Sequence, residues 1–292
     1  MMSLARRREI ETIWVRQCIQ RTYGRSIGNK HGEIGLMSSI HHSAADGYAL
    51  MATSYARGRP DYPPQVKDWL REDLALGKGK VALDLGAGTG KFLAYLRNTG
   101  AAVVAVEPVP EMLAQLVNLH PGVEARQGSA ERIPLPDSSV DAVVCAQSFH
   151  WFANSNALGE MRRILKIGGV LGLIWNIRDE RLAWVAALRA IFDPHEGDAP
   201  RYHTQMWRRV FPATGFGPLT ERHFPHGHTG SPEHVIVDRV LSTSFIAALP
   251  ALERDRVGDQ VRKLIANEPD LAGRSEVTMP YVTAAFSCQR VE

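Results

Sequence analysis

An acid and three glycines on alternate positions, Asp84-x-Gly86-x-Gly88-x-Gly90, close the run VALDLGAGTG at residues 81–90. Glycines at that density strip side chains from a turn, so that a ligand can approach the backbone closely. Their spacing departs from G-x-G-x-x-G, which cradles a pyrophosphate, because the third glycine comes one place early. Asp84 points the same way, since a carboxylate beside the turn repels phosphate and suits a cation. Glu107 follows 23 residues after Asp84. An acid there can accept both hydroxyls of a ribose, although taken alone it can equally be a solvated strand end. The chemistry these residues fit is a nucleoside that carries positive charge. A nicotinamide-dependent oxidoreductase is disfavoured by the glycine spacing.

Such a constellation needs strands that end at one edge of a sheet. The apolar runs at 81–85, 101–108, 123–127, 140–147 and 170–176 supply five, alternating with helices expected at 64–76, from Lys91 to about Asn98, from Pro110, and at 155–166. Proline in a first turn and a carboxylate at the positive helix end make Pro110-Glu111 a good start, and Gly168-Gly169 a good stop. Strands alternating with helices predict an α/β, Rossmann-like doubly wound sheet of about seven strands with helices on both faces. It is mostly parallel, with an antiparallel last strand. The pattern changes after Asn176. A helix at 180–192, a loop, a strand near 219–224, helices to about 267 and a closing strand at 281–291 complete the chain.

The 292 residues, 45% hydrophobic and 22% charged, match an ordinary globular protein, and no apolar run is long enough for a membrane span. Cys18, Cys145 and Cys288 are scattered and odd in number, which argues against a disulfide framework and for a reducing, cytoplasmic setting. The net charge of +3 is uneven: seven Lys/Arg against three Asp/Glu put +4 in residues 1–45 and leave −1 for the rest. The body is therefore not a nucleic-acid surface by charge, and no nucleic-acid partner is expected. Residues 1–45 lack a sustained period and are expected to be a disordered N-terminal extension.

Motif by motif, the chain resembles the class I S-adenosylmethionine-dependent methyltransferases, and more narrowly the type-11 small-molecule family with its trans-aconitate methyltransferase-like branch. The resemblance runs over residues 46–292. It is carried by VALDLGAGTG, SYARGRPDYP (54–63), VVAVEPVPEML, QGSAERIPLPDSSVDAVVCAQSFHWF, LKIGGVLGLIWN and TMPYVTAAFSCQR, in order. It implies S-adenosylmethionine as cofactor, with Gly86, Gly88 and Gly90 against its methionine part, Asp84 supporting that loop or the amino group, and Glu107 on the ribose. It further implies Ser129 and Ala130 along the adenine and Gln147 near the transfer point. Ser129 stands where many relatives carry an aspartate for the adenine amino group, and Ile167 where they often carry proline. Residues 46–63 correspond to a lid, with Tyr48, Tyr55, Arg57, Arg59 and Tyr62, and 177–275 to the variable region that shapes the acceptor pocket.

Methyl transfer is an in-line displacement in which the protein chiefly orients the reactants and excludes water. His150, just past the fourth strand, is the titratable group expected beside the methyl, as a base, as a hydrogen-bonding orienter of the substrate, or merely as packing for the next helix. An arginine of the lid segment could hold a carboxylate bidentately. The triplet His223, His226 and His228 lies in HFPHGH, which reads as a loop, and no carboxylate or cysteine completes a metal site. Methylation of a small molecule is the leading expectation. A non-catalytic S-adenosylmethionine or nucleoside binder and an RNA methyltransferase are the alternatives, the latter weakened by Ala146-Gln147-Ser148-Phe149 where base-amine enzymes carry Asn/Asp-Pro-Pro-Tyr.

Overall fold

Strand periodicity divides the first apolar run between two cores. In β1 (Val81–Leu85), Leu83 and Leu85 join one buried cluster while Ala82 joins another, and Asp84 alternates onto the second side. The computed structural model describes residues 59–292 apart from Ala199. The expectations for residues 1–45 and for Tyr48, Tyr55 and Arg57 lie outside the described residues.

From Val66 onward the elements run α1 (Val66–Glu72), β1, α2 (Leu93–Arg97), β2 (Ala102–Glu107), α3 (Pro110–Leu119), β3 (Glu124–Gln127), β4 (Val140–Ala146), α4 (Ser155–Ile164), β5 (Leu165–Arg178), α5 (Ala183–Phe192), β6 (Thr220–Gly230), α6 (Ala251–Asn267) and β7 (Val277–Gln289), with shorter helical turns between. The sheet order is β3-β2-β1-β4-β5-β7-β6. β1 through β5 pair in parallel, and β7 runs antiparallel to both β5 and β6. This is the seven-stranded, mostly parallel, Rossmann-like sheet that the sequence predicts.

Both faces are covered. On one, α4 packs Leu158, Met161 and Ile164 over Leu83, Val143, Leu171 and Leu173. On the other, Val66, Trp69 and Leu70 of α1 join Phe92 and Leu96 over Ala82, Val144 and Ile174. Gly172 lets α1 lie this close: a Cβ there would stand 2.7 Å from Leu74 and 3.0 Å from the Trp69 indole. A third cluster, beyond the end of β5, joins α5, α6 and the turn at Glu233–Asp238.

Two expectations change. β5 starts earlier and runs longer than the 170–176 expected, because Leu165 already pairs with Val140. HFPHGH is not a loop but lies inside β6, paired residue for residue with β7 from Thr220↔Ser287 to Gly230↔Val277. No helix among the described residues is long and apolar enough to cross a membrane. None of their His, Cys, Asp and Glu groups is arranged to hold a metal.

Candidate active site

The ends of β1, β2 and β4 are stitched together by short bonds. Ser148 Oγ, just past β4, donates to the Leu85 carbonyl at 2.8 Å, and the Gly86 and Ala87 amides donate to the Val106 carbonyl. Glu107 closes the glycine turn from the other side. Its Oε2 accepts from the Gly88 amide at 2.7 Å and its Oε1 from the Val109 amide at 3.0 Å. Each carboxylate oxygen accepts more than one bond, so capacity remains for a ligand. Burial pushes the Glu107 carboxyl above the usual range, and the two amides pull it back.

The three glycines differ in what they do. All have positive φ, near +69° for Gly86, +58° for Gly88 and +84° for Gly90. A Cβ on Gly86 would meet Ser148 at 2.8 Å, and one on Gly90 the His120 ring at 2.6 Å, so these two serve the packing of the chain itself. A Cβ on Gly88 would meet nothing within 4 Å. Gly88 is thus the glycine that faces open space. Gln147 also has positive φ, at +60°, where β4 leaves the sheet. A residue other than glycine held there is strained, and such strain gathers at functional positions.

Asp84 lies beneath the turn, 1% exposed, and neither carboxylate oxygen has a partner. Burial, and secondarily the nearby Glu107 charge, raise it to about 8. At neutral pH the ligand-free protein therefore keeps Asp84 largely protonated.

A cavity opens above these residues. Gly86, Gly88, Glu107, Ser129, Ala130 and Gln147 line it, together with Tyr62, Lys91, Phe92 and Met112, whereas Asp84 and Gly90 do not. A second cavity shares Arg59, Gln147, Asn176 and Arg239 with the first and extends past His150, Trp175 and Tyr202 toward Arg178, Arg189 and Arg201. His150 therefore belongs to the second cavity. The Trp175 indole donates to its Nδ1 at 3.1 Å, and burial, then Arg201, Arg59 and His203, pull it down to about 3.

The acids of the second cavity are engaged. Arg189 binds both Glu180 and Asp193, and His203 stands 3.2 Å from Glu196. Arg178 is different: its guanidinium lies over the Phe192 ring at 4.7 Å, and its Nε and Nη2 are closed off from solvent with no acceptor. Burial lowers its pKa, opposed in part by Tyr281. The sequence does not single out Arg178, Arg189, Arg201, Arg239 or Trp175. The arginines are spread from residue 178 to 239, past the alternating strands and helices, and only the fold brings them to one cavity.

The segment leading into α1 is tied down at Asp61. Its carbonyl accepts from Asn176 Nδ2 at 3.2 Å and from His226 Nε2 at 2.9 Å, and Lys91 Nζ bonds the Arg59 carbonyl. His226 is thus a clasp for this segment.

Comparison with known proteins fits this geometry. A family model described as a methyltransferase domain matches residues 83–173. An uncharacterised methyltransferase of Mycobacterium bovis is 42% identical over 230 residues, 79% of this chain and 90% of its own. An uncharacterised methyltransferase-like protein of Schizosaccharomyces pombe is 37% identical over 239 residues, 81% of this chain and 92% of its own. Among solved structures, one described as a type II methyltransferase from Anaeromyxobacter dehalogenans superposes with a TM-score of 0.59 at 21% identity, covering 80% of this chain and 98% of its own. The chain belongs to the methyltransferase family.

Proposed function

We propose that this protein methylates an anionic small molecule, with S-adenosylmethionine in the first cavity and the acceptor in the second. The observation that carries this reading is the pair of cavities meeting at Gln147 and Asn176, the first built on the glycine turn and Glu107, the second adding Arg178, Arg189 and Arg201.

The residues of the first cavity fit the cofactor. Gly88 faces open space and Glu107 retains acceptor capacity for a ribose, while Asp84, buried behind the lining and not part of it, has orphaned oxygens that suit a positive charge nearby. Ser129 and Ala130 are assigned to the adenine side and Gln147 to the transfer end. When bound, S-adenosylmethionine supplies a methyl group on a sulfonium, a leaving group that needs no protonation.

What remains for the protein is to orient the acceptor and exclude water. The second cavity offers hydrogen-bond donors in Arg178 and Arg201, and its carboxylates are occupied by Arg189 and His203. Arg178 is poised for an oxyanion, because its unpaired buried N–H groups gain most from a charged acceptor. An ionised acceptor also needs no general base.

The test incubates the protein with methyl-labelled S-adenosylmethionine and an extract of its host, with a Gly88→Asp, Glu107→Ala double variant as blank. Label above blank in a small molecule whose unmethylated precursor is retained by an anion exchanger is the expected result. Label in RNA or protein overturns the acceptor class. No label, with S-adenosylhomocysteine binding intact, turns the reading into that of a non-catalytic binder.

A further inference from the structure

Trp175 stands in β5 opposite Ala284, 1% exposed, with its ring wedged among Tyr202, Trp207 and Phe286 at centroid distances of 5.1, 4.7 and 5.8 Å. That packing gives the indole one orientation, and its N–H points at His150 Nδ1, 3.1 Å away. An indole nitrogen can only donate, so Nδ1 must be the unprotonated nitrogen and the proton of the neutral ring must sit on Nε2. No acceptor among the described residues bonds that Nε2, and His150 lines the second cavity beside Arg201. The charged and titratable groups around the ring are Arg59, Arg201 and His203. The carboxylates of the same cavity are Glu180, Asp193 and Glu196.

We propose that Trp175 is a positioning residue which locks His150 in its Nε2–H tautomer, so that the imidazole presents the acceptor cavity with a fixed hydrogen-bond donor and does not serve as a base. The proposal rests on the methyl-transfer reading for its bearing on turnover, but the lock itself does not. The consequence is chemical. A base takes a proton through a free ring nitrogen: Nδ1 is occupied and Nε2 already carries its hydrogen. Protonation of the ring would require Nδ1 to turn from acceptor to donor against the indole N–H, in a cavity that already holds arginines. The depressed pKa agrees with that geometry. His150, Arg178 and Arg201 then form a set of donors alone, which selects an acceptor molecule bringing its own lone pairs and negative charge.

The test is nitrogen-15 NMR of the full chain carrying labelled histidine, with the His150 signals assigned by their loss in His150→Gln. The expected wild-type spectrum shows Nε2 protonated, Nδ1 as a hydrogen-bonded acceptor, and no titration of the ring between about pH 5 and 8. Trp175→Phe keeps the ring packing and deletes the donor. It is expected to give a mixture of tautomers, a ring that titrates nearer its ordinary range, and methyl transfer slowed about tenfold with S-adenosylhomocysteine affinity unchanged. An Nδ1–H tautomer or a titrating ring in the wild type overturns the lock, and this holds even if Trp175→Phe does not fold. Changed tautomers with unchanged turnover overturn the role in the reaction. A wild type that transfers no methyl group overturns the methyl-transfer reading, and with it the role in the reaction, while the spectrum still judges the lock.

Discussion

Asp84 and Glu107 place two carboxyl groups in one buried corner, and the proton between solution and Asp84 has measurable effects. Asp84 ionises near 3.8 when unfolded and about 8 in the folded, ligand-free protein, so across that interval the folded state holds a proton that the unfolded chain lacks. Its contribution to stability is fully present below about pH 4 and is lost as pH rises through about 8. Asp84→Asn has no charge to desolvate. Thermal melts from about pH 4.5 to 8.5 should therefore fall less steeply for this variant than for the wild type. Glu107, shifted in the same direction, leaves a residual slope. A cationic ligand draws the proton off Asp84, so S-adenosylmethionine should bind more tightly at pH 8 than at pH 6 and release a proton at pH 7. Calorimetry in two buffers of different ionisation enthalpy reads that release, and equal heats in both would contradict it. Glu107→Gln should weaken S-adenosylhomocysteine binding about 10- to 100-fold, because the amide replaces one acceptor facing the backbone N–H groups with a donor. These two acids were legible in the sequence because their spacing from the glycines carries the signal. That only Gly88 faces open space was not, since the neighbours of Gly86 and Gly90 come from Ser148 and His120, remote in sequence from the turn.

At the scale of elements, buried parallel strands announce themselves as apolar runs, and β1, β2 and β4 fall within a residue or so of their expected limits. β6 did not, for a physical reason. It is the outer strand of the sheet, beyond β7, and an edge strand tolerates what a central one does not. Pro225 has no N–H to give to a neighbour, but on its outer side β6 has no neighbouring strand to receive one. The glycine and histidines of HFPHGH likewise imitate a turn while lying in an unbroken register. This placement is what lets His226 reach Asp61. The α1 contact offers a sharper check of the packing. Gly172→Ala sets a methyl against Leu74 and the Trp69 indole, which the close-packed helix cannot fully yield to. The substitution should cost about 1–3 kcal/mol in urea unfolding, and a cost near zero would mean that α1 rides further from the sheet.

Over the whole molecule, net charge misleads about where charge acts. The chain from residue 46 onward carries −1, yet its second cavity gathers Arg59, Arg178, Arg189, Arg201 and Arg239. Composition averages over a surface and has no access to which side chains the fold turns inward, so this concentration was invisible in the sequence even though region 177–275 was expected to shape the pocket. Arg178 is the member whose isolation shows most plainly, with two nitrogens closed off from solvent and unpaired. Holding a buried cation with two of its nitrogens unpaired lowers the stability of the ligand-free protein. A fold under selection for stability alone would replace it by an apolar side chain of similar length. Arg178→Met should accordingly raise the melting temperature or leave it unchanged, and at the same time raise KM for the acceptor about 10- to 100-fold, the worth of a charge-assisted hydrogen bond. S-adenosylhomocysteine affinity, measured by calorimetry, should stay as it was, because Arg178 does not line the first cavity. A melting temperature that drops sharply would make Arg178 a structural cation held by the Phe192 ring, and the anionic acceptor would lose its main support. Stability gained together with acceptor binding lost is the signature of a site that keeps an unfavourable charge for use.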